Sequence, residues 1–255
     1  MNWKLLDPEL HYNLDSVDST QDIIRKKEYK PGSWVTAKEQ TSGRGRKGRP
    51  WSVFGDSRLI FSGKIEVPVE NLILPMISIF VGNALLRTLR SHFPTVANIL
   101  SVKWPNDVYK NHKKVGGILL EADVEGNHAT IIIGIGCNLG SKYVPENLND
   151  VADSILDEPI SNEKYDNIKQ DLVKMINSEM WNLLIPGPNN EGMIYAEKNS
   201  LLHYATLEFT LDGKKITGEV QGYNTFGHLI VLTNDGLKID LIDSPDDLKV
   251  VHYAK

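Results

Sequence analysis

The chain has 255 residues, of which 41% are apolar and 24% charged, with a formal net charge of −5 and one cysteine, Cys137. A chain of this length buries a substantial core and suits one large domain joined to a small one. The acidic balance excludes a surface that attracts nucleic acid as a whole, and the lone cysteine excludes an intramolecular disulfide and fits a reducing, cytoplasmic compartment. The start, "MNWKLLDPEL", lacks an apolar run of signal-peptide length, and Pro75 and Asn83 interrupt "LILPMISIFVGNALL" before it could span a bilayer, so no membrane segment is expected. The seven histidines and one cysteine show no paired metal-ligand spacing.

After a short extended segment, "DSTQDIIRKKEY" offers Ser19 or Thr20 as an N-cap and predicts a helix through about residue 29. "GSWVTAKEQ" alternates as a strand and leads into "TSGRGRKGRPW", which has neither periodicity and reads as a loop. "RLIFSGKIEV" is a further strand, and residues 71 to 92 form an apolar helix packed on a sheet. "NILSVKWPND" is a strand that ends at Pro105, and "KVGGILLEAD" and "HATIIIGIGCN" form one hairpin whose "IIIGIG" marks the sheet centre. A polar loop over residues 140 to 162 precedes a helix from Tyr165 to Leu184, closed by Pro186 and Pro188. From His203, short strands with "DG" and "NDG" turns suggest a five-stranded SH3-like barrel. The reading is α/β (α+β): a mixed central sheet with helices over residues 1–200, then a small β-barrel over 201–255.

The basic loop admits three readings. It is a solvated turn without a role, or a minor-groove arm, since Lys47-Gly48-Arg49-Pro50 approximates an Arg-Gly-Arg-Pro core. Or it grips phosphate: its glycines let backbone N–H groups approach an anion, and Arg44, Arg46 and Arg49 supply forked donors. The spacing is not that of a P-loop.

Residues 43–51, "GRGRKGRPW", closely resemble the GRGRRGRxW signature of biotin protein ligases. The other blocks of that family occur in order: "DST" at Asp18 to Thr20, "KWPND" at Lys103 to Asp107, "KVGGILLE" at Lys114 to Glu121 and "GIGCN" at Gly134 to Asn138. The resemblance covers about residues 15 to 140, and more loosely the C-terminal region. The family usually carries Asn where this chain has Gln21, a longer amide with the same donors and acceptors. Seventeen residues before "DST" leave no room for the helix-turn-helix of the repressor-type members, so the short class, without DNA binding, is expected.

The resemblance implies a two-step ligase with biotin and ATP as substrates and Mg²⁺ as cofactor. Biotin would be activated as biotinyl-5'-AMP and passed to a lysine of the biotin carboxyl carrier domain of a carboxylase. It implies biotin contacts from Ser19, Thr20, Gln21, Gln40, Gly43, Arg44, Gly45, Arg46, Lys114 and Gly117, with Ser19 and Thr20 also readable as a plain helix cap. Nucleotide contacts are implied for Arg46, Arg49, Trp51, Asn106, Asp107, Lys114 and Asn138, with Trp51 against adenine. Asp107 would take the Mg²⁺, although Asn-Asp after a strand is an equally good turn. Lys114 and Arg46 are the implied catalytic pair, and Gly116 and Gly117 would let the backbone approach biotin. A lipoate-type ligase of the same fold is the alternative, and a nucleic-acid binder using the basic loop is the reading from another class. A monomer and a homodimer are both compatible with the sequence.

Overall fold

The computed structural model describes residues 3–51, 53–183 and 190–254. Its elements in chain order begin with β1 (His11–Val17), α1 (Thr20–Arg25), β2 (Trp34–Gln40), β3 (Ser57–Pro68) and α2 (Leu74–His92). β4 (Leu100–Lys103), β5 (Asp107–Lys110), β6 (Lys113–Glu125) and β7 (His128–Gly140) follow, then α3 (Asn162–Leu183) and α4 (Glu191–Lys198). The C-terminal strands are β8 (Thr206–Leu211), β9 (Lys214–Tyr223), β10 (Leu229–Thr233), β11 (Lys238–Leu241) and β12 (Lys249–His252).

The first seven strands form one mixed sheet in the order β1-β2-β3-β7-β6-β5-β4, with β1 and β2 parallel and the other neighbours antiparallel. The run "IIIGIG" lies in β7, the central strand, as its apolar density implies. β4 closes one edge, and its outer side is covered where Val102 N–H donates to Asn199 and Leu201 N–H donates to Val102. On one face of the sheet lies α2, which also packs on α3 and α4. Pro75 sits in the first turn of α2, where a missing N–H costs nothing.

Asn83, in the middle of α2, is fully buried and donates to the Gly192 carbonyl (2.8 Å) and to Glu179 (3.4 Å). Arg87 meets Glu179 at 2.9 Å, so the polar residue that breaks the apolar run serves a buried network between the three helices. Among the described residues, no helix is long and apolar enough to cross a membrane.

The five C-terminal strands form a second, wholly antiparallel sheet, β11-β10-β9-β8-β12. Its Asp212-Gly213 turn has φ of 49° and 75°, the left-handed pair that a two-residue hairpin requires. The two sheets touch through Trp104, whose indole N–H donates to the Gly227 carbonyl (3.1 Å).

Several boundaries differ from those read in the sequence. α1 ends at Arg25, short of residue 29, because Lys64 Nζ donates to the carbonyls of Lys26 (3.3 Å) and Tyr29 (2.7 Å) and caps the chain as it leaves the helix. α3 begins at Asn162, three residues before Tyr165. Leu184, Pro186 and Pro188 lie outside the described residues. β5 and α4 have no counterpart in the sequence reading: four residues are too few for a period, and α4 is one short amphipathic stretch capped by Asn190.

His11 on β1 stacks on buried Trp34 at 3.6 Å and shares a hydrogen bond with Thr36 (2.9 Å). Burial, then the charge of Lys169, lower its pKa from 6.5 to about 4, with Asp166 opposing. The unfolded chain therefore binds the extra proton first, and stability falls as the pH drops from about 6.5 through 4. The shift corresponds to about 3 kcal/mol, which solvent screening of a partly exposed ring reduces to about 1–2 kcal/mol. His11→Phe should flatten this part of the acid limb in urea titrations at stepped pH; an unchanged slope would show that His11 does not titrate against folding.

Candidate functional site

Register explains why a cavity opens on the face of the main sheet opposite α2. Gly134 and Gly136 on β7 lie two apart and point to one face. Ser62 and Ile60 of β3 stand opposite them on one side, Leu119 and Gly117 of β6 on the other, and Asp107 of β5 stands opposite Gly117. The middle of this face has no side chains, and the cavity above it measures about 440 Å³, within the range of small-ligand sites. α1 lies over one end of the floor, where the Gln21 amide packs against Gly134. The basic loop and the segment 243–248 between β11 and β12 line the other end.

At the α1 end, Ser19 occupies the N-cap position but makes no side-chain cap bond. Gln40 instead accepts from the Thr20 N–H (2.8 Å) and hydroxyl (3.1 Å), and Ser62 donates to the Thr20 hydroxyl (2.9 Å). Ser19 Oγ and Gln21 Oε1 are buried without partners, although Gln21 Nε2 donates to Glu121 (3.3 Å) and the Leu119 carbonyl (3.4 Å). A buried hydroxyl and a buried amide oxygen left unpaired on a cavity wall are suited to a neutral ligand that both donates and accepts.

The other end is cationic. Lys114, at the start of β6, has its backbone fixed by hydrogen bonds to Val151 and Asp153 (both 2.9 Å), and its Nζ pairs with Asp107 at 2.6 Å. A Cβ on Gly117 would stand 3.2 Å from Asp107 Oδ1 and 3.3 Å from Lys114 Nζ, so the glycine leaves room for this pair. Lys103 lines the same wall, and burial above all pushes its pKa below 10.5, with Asp107 raising it and Lys114 lowering it. Asn106 is held by donation to the Ile118 carbonyl (2.6 Å) and accepts from Arg46 (3.3 Å).

The basic loop is a tight hairpin with defined contacts. Gly45 N–H donates to Arg49 (2.7 Å), Trp51 N–H donates to Gly43 (2.9 Å), and the tip at Arg46–Gly48 turns through left-handed φ at Lys47 (56°) and Gly48 (69°). Arg44 grips Asp22 of α1 with two hydrogen bonds of 2.5 and 2.7 Å, tying the loop to the helix. The Trp51 indole lies on the backbone of Gly136, so closely that any side chain there would collide with it. Its Nε1 is buried without a partner, and Lys114 Nζ stands 4.5 Å from its ring centre.

The cavity wall thus gathers Ser19, Thr20, Gln21, Gln40, Arg44, Gly45, Arg46, Arg49, Trp51, Asn106, Asp107, Lys114 and Gly117. Gly43 and Asn138 are not in the wall. Gly43 closes the hairpin behind Trp51, and Asn138 is a buried staple that accepts from Phe54 N–H (3.1 Å) and donates to the Asp153 carbonyl (3.1 Å). Gly116 faces the opposite side of the sheet from Gly117, toward Cys137. Ser62, Lys103, Asp243 and Asp246 line the cavity without having been singled out from the sequence. For Lys103, the signal was present in "KWPND".

The model of the biotin/lipoate A/B protein ligase family matches residues 14–138. These residues are a domain of that family. The fold agrees across the chain: the biotin protein ligase from Aquifex aeolicus in complex with biotin and ATP superposes with a TM-score of 0.75 at 25% identity, over 94% of this chain and 98% of that one. The biotin–[acetyl-CoA-carboxylase] ligase of Paracoccus denitrificans is 37% identical over 110 residues, 42% of this chain and 44% of that protein. The bifunctional ligase/repressor BirA of Salmonella typhimurium is 34% identical over 158 residues, 57% of this chain and 48% of that protein. The chain spans about half the length of these two curated relatives. The family match contains the glycine floor, the α1 cap and the basic loop.

Lys103, in the cavity wall, carries a cost to the fold. Its folded pKa lies below 10.5, so its charge destabilises the fold at neutral pH, and stability rises as the pH climbs from the lowered value toward 10.5. Lys103→Met should therefore raise the melting temperature at pH 7, with the gain shrinking as the pH rises through that window. A variant that melts lower at pH 7 would contradict this.

Proposed function

We propose that the protein is an ATP-dependent biotin protein ligase, acting in the cytoplasm on a biotin carboxyl carrier domain without binding DNA. Residues 1–200 would form the catalytic unit and 201–255 its C-terminal barrel. The observation that carries this reading is the polarity of the cavity: unpaired neutral polar atoms at the α1 end, and Lys103, Lys114 and Arg46 at the other. Biotin has that polarity, a ureido ring that donates and accepts at one end and a carboxylate at the other.

In this reading Ser19, Thr20, Gln21 and Gln40 hold the ureido ring, and the ring lies on Gly134 and Gly117. The biotin carboxylate oxygen attacks the α-phosphorus of ATP, the bond to the β-phosphate oxygen breaks, and pyrophosphate leaves. Lys114 stands where two anions must meet and reduces their repulsion, and Arg46 neutralises charge that grows on the phosphate. The carrier lysine amine then attacks the acyl carbon and AMP departs. Arg49, Asn106 and Trp51 would meet the nucleotide, with the Trp51 indole leaving Gly136 for adenine, and the hairpin would shield the adenylate from water.

Asp107 offers one carboxylate, which fits a Mg²⁺ that arrives on the nucleotide and keeps its water and phosphate ligands. Such an ion would neutralise phosphate charge, and it would have to share Asp107 with Lys114. Asn138, stapled between Phe54 and Asp153, would support the nucleotide only through those neighbours.

The lipoate-type alternative lacks a use for the unpaired Ser19 and Gln21 atoms, since a dithiolane makes no such hydrogen bonds. Against the nucleic-acid reading stands the net charge of −5, which leaves the basic loop a local feature of an acidic chain.

Incubation with biotin, ATP, Mg²⁺ and a carrier domain should add one biotin mass to the carrier, and no mass change beside an active control enzyme would refute the proposal. Biotin, and not lipoate, should raise the melting temperature. Lys114→Ala should slow adenylation on the order of 10²-fold or more in single turnover, as expected for a lost charge-stabilising donor; a near-normal rate would exclude Lys114. Arg46→Ala should weaken retention of the adenylate more than binding of biotin, and equal losses would refute that division.

A further inference from the structure

The cations assigned to phosphate are already occupied, and by carboxylates from the far end of the chain. Asp243, in the segment between β11 and β12, pairs with Arg46, and its second oxygen stands 3.7 Å from Lys47. Asp246 pairs with Lys47 at 2.9 Å and with Arg49 at 3.0 Å. Lys47 also donates to the Ser244 carbonyl at 3.0 Å. The hairpin tip is thus held against residues 243–246 by its three cations, nearly 200 positions away in sequence.

Two further observations mark this contact as built. Lys47 is a side-chain-bearing residue in left-handed backbone, at φ 56° and ψ 30°, a conformation that persists where surrounding contacts hold it. Asp243 also accepts from the Ser244 N–H (2.6 Å), which orients its carboxylate. Asp243, Ser244, Pro245 and Asp246 all line the cavity beside Arg46 and Arg49. A carboxylate and a phosphate ask the same thing of a guanidinium, two oxygens in its plane, so each can stand in for the other.

We propose that Asp243 and Asp246 are an anionic clasp that holds the hairpin's cations in the unliganded protein and is displaced by the phosphates of the nucleotide. The C-terminal sheet thereby sets the nucleotide affinity of the catalytic sheet. Asp243 and Asp246 are positioning residues that act through Arg46, Lys47 and Arg49. The clasp keeps the loop ordered and its charges neutralised until a stronger anion arrives, and each nucleotide must compete with it. This rests on the nucleotide-binding reading above. A purely structural role for the two aspartates would have the opposite sign, because loosening the hairpin would weaken nucleotide binding.

The test is titration of ATP, of inorganic pyrophosphate and, as a control, of biotin into the full-length protein and into Asp243→Asn/Asp246→Asn. Removal of the competing charges should tighten ATP and pyrophosphate binding by about threefold to tenfold, as expected for a few partly exposed ion pairs, and leave biotin affinity unchanged. Asp246→Asn alone, at an exposed position that cannot unfold the protein, should shift ATP affinity in the same direction by less. Asp246→Glu, which keeps the charge, should stay within about twofold of wild type. Equal or weaker ATP binding by both Asn variants would overturn the clasp. A wild-type protein that binds neither ATP nor pyrophosphate would overturn the nucleotide reading itself.

Discussion

The site depends on a stretch of sheet that lacks side chains. Gly134 and Gly136 of the central strand and Gly117 of its neighbour point to the same face, so the best-supported part of the molecule presents bare backbone exactly where other sheets present a second apolar layer. The opposite face of these strands belongs to the buried core that they share with α2, so the polar residues at the rim stand on a packed support. Trp51 can lie on Gly136 only because no Cβ intervenes, and the missing Cβ atoms of Gly134 and Gly117 likewise make room for Gln21 and for Lys114 with Asp107. Such support suits the proposed ligase, which would hold two anionic substrates in register without a nucleophile of its own.

A floor of this kind leaves the charge at the mouth of the cavity to be managed by its rim. Lys103, Lys114, Arg44, Arg46, Lys47 and Arg49 crowd one region of an acidic protein, and Asp22, Asp107, Asp243 and Asp246 answer all but Lys103 with ion pairs. Those pairs explain how a loop with so many like charges keeps a defined hairpin. They also make anion exchange, carboxylate for phosphate, the natural way for the loop to respond to a ligand.

Much of this was legible in the sequence where a signal is local. Glycine pairs inside apolar strands, the Gly-Arg loop and "KWPND" each name their own place, and residues of all the family blocks meet in one cavity. Contacts made over long separations were not legible. Asp243 and Asp246 carry no local signal, and only the fold brings them to the loop. Ser62 looks like one more small residue in a strand until register sets it opposite Gly134. Asn138 belongs to a family block, yet its side chain is spent on Phe54 and Asp153, and only the fold reveals that. Ser19 does stand at the N-cap position, but its hydroxyl makes no cap bond, and the N–H and hydroxyl of Thr20 are met by Gln40, twenty residues further on, which no local reading could show.

The central claim is that this cavity joins biotin to the α-phosphate of ATP before any carrier is present. The most direct measurement is pyrophosphate release from the protein with ATP and Mg²⁺, with and without biotin and with no carrier protein added. A biotin-dependent burst of about one pyrophosphate per protein, with biotinyl-5'-AMP retained on the protein, is the expected result. No release at saturating biotin and ATP, or release supported by lipoate and not by biotin, would contradict it.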